Sequence, residues 1–169
     1  MSSAEPAPLL VLGLGNTLLS DDGVGVALLE ALRGESDGDA RVEFVDGGTQ
    51  GLALLGYLER RRAALVLDAV ALGAPAGHVH ALGDAHERAN PRGLGPHGGN
   101  ASELFAAARL VGCLPPRVEL VGVEPASLAT GNALSECVAC AMPRALARAR
   151  RSLAELLELI EREEAACTS

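Results

Sequence analysis

Leu9-Leu10-Val11-Leu12-Gly13-Leu14-Gly15-Asn16, followed by Asp21-Asp22-Gly23-Val24-Gly25, decides the fold. Leu9 to Gly13 is an aliphatic run of strand length. From Gly23 to Arg33 the apolar positions Val24, Leu28, Ala31 and Leu32 fall at helical spacing. Glycines, Asn16 and two aspartates join the two. A strand that is apolar at every position is buried on both faces, which is the habit of a parallel sheet covered by helices.

The same alternation continues outward. Arg41 to Val45 reads as a second strand and Gln50 to Arg60 as a helix; Ala64 to Asp68 is a third strand, aliphatic until it meets a carboxylate. A Gly-, Ala- and Pro-rich turn over residues 71–77 leads to a short strand, His78 to Leu82. Residues 83–99 have the composition of a long loop, Asn100 to Leu110 that of a helix, and Val118 to Val123 that of a strand. The last element is helical, with Leu146, Leu153, Leu157 and Ile160 on one face, and Pro143 is expected to kink or divide it. These elements predict an α/β fold: a single three-layer domain over residues 1–169, with a mostly parallel, twisted sheet of about five strands and helices on both faces. Residues 1–7 and those from about 163 to 169 are expected to fray.

Composition narrows the function. The 169 residues are 49% hydrophobic, with 2% aromatics and a mean hydropathy of +0.23, enough for a core of Leu, Val and Ala. All 14 basic residues are Arg and the net charge is −8. An acidic chain without a basic stripe is a poor nucleic-acid ligand. The lack of Lys removes a Walker-type phosphate loop and Schiff-base chemistry. No segment reads as a signal peptide or a membrane span, and Cys113, Cys137, Cys140 and Cys167 lack the spacing of a disulfide framework, so a cytoplasmic protein is expected.

In doubly wound sheets ligands bind outside the carboxyl ends of the strands, and Asp22, Asp46 and Asp68 fall there by sequence. Gly13 and Gly15 do not make a dinucleotide cradle, because the third glycine of that fingerprint is replaced by Leu18. By spacing alone Asp21-Asp22 is better read as a helix cap, although one aspartate suffices for that and two crowded carboxylates are easier to hold near a cation. Asp68 could serve a turn or cap, but a carboxylate at the carboxyl edge of a central strand is more often functional; His97, in Gly95-Pro96-His97-Gly98-Gly99, suits solvent as well as a metal. Together Asp22, Asp68 and His97 would form an O,O,N set that leaves coordination positions open. His78 and His80, with Asp84 and His86 nearby, are a rival metal pair; the polar face of an edge strand is the preferred account. Cys137-Val138-Ala139-Cys140 reads as two small buried residues, and Arg60-Arg61-Arg62 as a solvated cluster.

The residues from Gly13 to Gly25 resemble the opening signature of the hydrogenase maturation endopeptidases. The likeness continues through Asp46-Gly47-Gly48-Thr49-Gln50-Gly51, Leu67-Asp68-Ala69-Val70, Gly95-Pro96-His97, Leu120-Val121-Gly122-Val123-Glu124-Pro125 and Leu134-Ser135, so that it spans about residues 9–147. The resemblance implies a metal-dependent endopeptidase that removes the C-terminal extension of a nickel-loaded [NiFe]-hydrogenase large-subunit precursor. Asp22, Asp68 and His97 would be the nickel ligands and carry catalysis through the metal, with the nickel supplied by the precursor. It also implies that Asp21 caps the helix or orients Asp22, and that Asn16, Gly47, Gly48 and Thr49 lie around the cleft. The expected partner is the precursor, with no nucleic acid or membrane and a monomer favoured.

Overall fold

The computed structural model describes residues 5–35, 38–83 and 99–167. Five strands form one sheet: β1 Leu9–Leu14, β2 Val42–Gly48, β3 Ala63–Ala69, β4 Val79–Gly83 and β5 Arg117–Val123. Their order is β2-β1-β3-β5-β4, with β4 alone antiparallel and at the edge. The helices are α1 Val24–Glu35, α2 Leu55–Leu58, α3 Gly99–Val111 and α4 Glu136–Cys167.

Alternation along the strands sorts the core into two layers. Leu9, Val11, Leu65, Leu67, Val121 and Val123 face α1 and α4, meeting Leu28, Leu32, Ala145 and Leu156. Leu10, Leu12, Val66, Val118 and Leu120 face α2 and α3, meeting Leu58, Leu104 and Phe105. The expected α/β architecture, with a five-stranded, mostly parallel sheet and helices on both faces, is therefore the one observed. Among the described residues no helix is long and apolar enough to cross a membrane.

Several local expectations need correction. The helix expected over Gln50 to Arg60 is a 3-10 turn, Gly51–Leu54, running into the four-residue α2. A left-handed Gly51 (φ 55°) begins this segment, and an extended Glu59 followed by a left-handed Arg60 (φ 59°) ends it. Conversely, Pro143 does not divide α4. The carbonyl it leaves without a helical donor belongs to Ala139 on the exposed side of the helix, where water can serve it. Nor does the chain fray after Arg162: α4 continues to Cys167, with Arg41 pairing to Glu161 and Arg62 to Glu163 and Glu164. Cys137 and Cys140 are exposed, because α4 turns Val138 and Ala141 to the sheet instead. Arg61 is buried, 7% exposed, since its guanidinium reaches the carbonyls of Tyr57 and Ala7 and the carboxylate of Glu43.

A crevice at the carboxyl edge

The chain leaves β1 through α1 for β2 on one side, then returns to β3 on the other, so the strand order reverses between β1 and β3. At such a switch point the flanking loops diverge and open a crevice. Gly25 shows how closely α1 straddles this boundary. A Cβ there would lie 2.3 Å from both the Leu14 and the Leu67 carbonyl oxygens. Asp22 lies three residues before Gly25 and Asp68 follows Leu67 directly, so the segments that carry them run to the same end of the sheet.

The loop carrying Asp22 is wound back onto the end of β1. Gly15 adopts φ +117°, and a Cβ on it would meet the Asp22 carbonyl oxygen at 1.8 Å; only glycine allows this approach. The Asn16 amide then donates to Asp22 Oδ2 at 2.6 Å, while Asn16 Oδ1 accepts from Leu18 N at 2.9 Å. Asp22 stays half-buried, and its second oxygen is not used by that contact.

Asp68 is fully buried as the penultimate residue of β3. Its Oδ1 accepts from Ala69 N at 2.8 Å and its Oδ2 from Ala101 N at 3.1 Å, at the start of α3. The capping role is thus real, but the helix it serves is α3, which follows thirty residues later in the chain rather than next to it.

Asp21 differs from expectation. The 3-10 turn Ser20–Gly23 has no side-chain cap, and the Asp21 carboxylate turns away from it into the β5–α4 loop. There it accepts from Ala126 N (2.8 Å), Ser127 N (3.0 Å), Ser135 N (2.6 Å) and Ser135 Oγ (2.8 Å). Burial alone would raise the pKa of this carboxyl; the donors of Ser135, Ala126 and Ser127 outweigh it and hold the group below its ordinary value. Backbone bonds reinforce the latch: Ser20 N to Gly131 O, Gly131 N to Leu18 O and Asp21 N to Ser127 O.

Of the residues expected around the cleft, Gly47 lies under it, since a Cβ would meet the side chains of Leu12, Leu14 and Leu54 within 3.0 Å. Gly48 ties β2 to the loop by accepting from Gly15 N, Asp46 sits inside β2, and Thr49 is exposed. His97, Asp84 and His86 lie outside the described residues. Among those described, no three His, Cys, Asp or Glu side chains gather as a metal site.

His78 and His80 do sit on the edge strand side, with ring centroids 4.7 Å apart, but His80 is not a solvated residue. Its Nε2 lies 2.7 Å from Glu124 Oε2, and Glu124 also accepts from Leu72 N and Gly73 N. Burial pushes the Glu124 carboxyl up, and those three partners more than reverse it, leaving it below its usual range. The register aligns Asp68, Gly122 and His80 in one row across the sheet. Glu124 had the same signature as Asp68, a carboxylate closing an aliphatic strand, yet carried no expected role.

The fold defines the class: a doubly wound α/β protein with the segments of Asp22 and Asp68 at the carboxyl edge of its sheet. Comparison with known proteins then places it. The family model described as hydrogenase maturation protease matches residues 26–152. The hydrogenase 2 maturation protease of Escherichia coli K12 is 35% identical over 159 residues, covering 92% of this chain and 96% of its own. The hydrogenase expression/formation protein HupD of Rhodobacter capsulatus is 36% identical over 156 residues, covering 90% and 74%. Among solved structures, the hydrogenase maturating endopeptidase HybD from Escherichia coli superposes with a TM-score of 0.76 at 33% identity, over 87% of this chain and 92% of that one. The chain belongs to the hydrogenase maturation protease family.

Proposed function

We propose that this protein is an endopeptidase that removes the C-terminal extension of a nickel-loaded [NiFe]-hydrogenase large-subunit precursor, taking hold of the nickel through Asp22, Asp68 and His97. The observation that supports this reading is the close backbone approach of Gly25 to Leu14 and Leu67, which brings the segments carrying Asp22 and Asp68, 46 positions apart in sequence, to the β1/β3 switch point. Family membership supports the reaction class, and the relatives named for hydrogenase maturation support the substrate.

In this reading the nickel belongs to the substrate. Two carboxylates and one imidazole complete the coordination of an ion already seated in the precursor, so an empty precursor is not held. The bound ion, or water on it, polarises the scissile carbonyl. Asp22 is held by the Asn16 backbone amide and Asp68 by Ala69 N and Ala101 N, which fix where each carboxylate stands.

The test is incubation of the pure protein with nickel-loaded precursor, read as the shortened product by mass. Asp22→Asn, Asp68→Asn and His97→Ala are expected to abolish cleavage with the fold intact by circular dichroism, while His78→Ala, an exposed residue, cleaves normally. Normal cleavage by any of the first three removes that residue from the site.

A further inference from the structure

The proposed reaction makes no use of Cys137 and Cys140, both exposed at the start of α4. A spacing of three puts them on one helix face, with Cβ atoms about 5–6 Å apart. They open into a cleft of about 430 Å³ that Pro75, Gly77, His78 and Arg144 also line. This wall is packed firmly on the helix. A Cβ on Gly77 would fall 2.6 Å from the Cys137 carbonyl oxygen, and Arg144 Nη2 donates to the Gly77 carbonyl at 3.1 Å.

Two more observations bear on Cys137. Its Sγ lies 3.3 Å from Ser135 Oγ, and that hydroxyl donates to Asp21 Oδ2 at 2.8 Å. The thiol is therefore one hydrogen bond away from the buried latch joining the β1–α1 and β5–α4 loops. Pro143, moreover, supplies no N–H to the Ala139 carbonyl, so the turn that carries both cysteines is held by one helical bond fewer than the rest.

We propose that Cys137 and Cys140 are a reversible dithiol–disulfide pair, oxidised by a low-molecular-weight, carboxylate-bearing disulfide that enters the cleft beside Arg144. The Cys137 thiolate attacks one sulfur of the small disulfide, whose S–S bond breaks to release one small thiol. The Cys140 thiolate then attacks the Cys137 sulfur of the mixed disulfide and expels the second small thiol. Two electrons pass from the protein to the small disulfide, and the two cysteine protons end on the two released thiols.

A disulfide needs Cβ atoms about 3.5–4.5 Å apart, closer than an α-helical spacing of three provides. Closure therefore tightens this turn toward 3-10 geometry, in which positions i and i+3 eclipse. Cys137 is drawn off Ser135, and the Asp21 latch loosens.

Oxidised glutathione, added to the full-length protein, is the probe. After alkylation and digestion, the expected product is a Cys137–Cys140 disulfide, two hydrogens lighter, with faster amide exchange at Asp21, Ser127 and Ser135. Cys140→Ser is expected to stop at a glutathione adduct on Cys137. Arg144→Ala is expected to slow the reaction with glutathione disulfide about fivefold and to leave that with cationic cystamine no slower. Cys167, also exposed but with no cysteine at helical spacing, is the internal control. Glutathione on Cys167 while Cys137 and Cys140 stay reduced overturns the proposal. A disulfide formed with unchanged exchange at the three amides overturns the coupling to the latch.

Discussion

At the scale of single residues, the crevice rests on glycines as much as on its acids. Gly15 is held at φ +117° with the Asp22 backbone where a Cβ would be. Gly15→Ala combines a strained dihedral with a backbone clash and is expected to cost about 3 kcal/mol or more of stability in urea unfolding. Gly34 lies in α1 without a positive φ, and a Cβ there would meet nothing within 4 Å, so Gly34→Ala is expected to gain about 0.5–1 kcal/mol in the same measurement. Residue type was a good guide to the position of Asp68, since a carboxylate that closes an aliphatic strand stands out. It was a poor guide to Asp21, whose carboxylate partners all lie far off along the chain, and to Arg61, which reaches Ala7 and Glu43 as well as nearby Tyr57. The carboxylate of Asp21 bonds to residues 105 to 114 positions away.

At the scale of elements, those bonds make two loops into one unit. Asp21→Ala would strand the amides of Ala126, Ser127 and Ser135 at once and is expected to lower stability by about 3 kcal/mol, read from the urea midpoint. The pH dependence follows from the same carboxylates. Asp21 and Glu124 both have folded pKa values below their ordinary 3.8 and 4.5. Below its ordinary value each group is protonated in the unfolded chain while still ionised in the folded one, so the unfolded chain binds more protons. Their contribution is complete above the ordinary values and is lost as pH falls through the lower, folded ones. The urea midpoint is therefore expected to fall as pH drops below about 4.5, and less steeply in Asp21→Asn. Strand periods and helix spacings were legible at this scale, and α1, α3, β3 and β5 lie within a residue or two of expectation. The segment after β2 was not, because the left-handed Gly51 and Arg60 that bound it leave its apolar spacing untouched. Pro143 misled in the opposite direction: the packing of Val138, Ala141, Ala145 and Ala149 keeps α4 continuous through a residue that disfavours it.

At the scale of the whole molecule, α4 is the longest element and closes one face of the sheet. Two kinds of contact fasten its last turns. Ile160 is 2% exposed in the core, whereas Arg62 reaches Glu163 and Glu164 at the surface. Ile160→Ala is expected to cost about 2–5 kcal/mol and Arg62→Ala less than about 1 kcal/mol, with only the latter shrinking in high salt. Urea unfolding with and without added salt separates the two.

Layer architecture could be read from the chain because burial imposes a period on each element: alternate residues of a strand and one stripe of a helix must leave water. Parallel strands also share a direction, so an acid after each strand must come to the same edge. Which strands are neighbours was not readable. The β1/β3 adjacency, the latch from Asp21 to Ser135, the burial of His80 against Glu124 and the exposure of Cys137 and Cys140 all depend on how separate elements pack. No local pattern encodes such contacts, because each is fixed by a partner distant in sequence and by the face that packing leaves open.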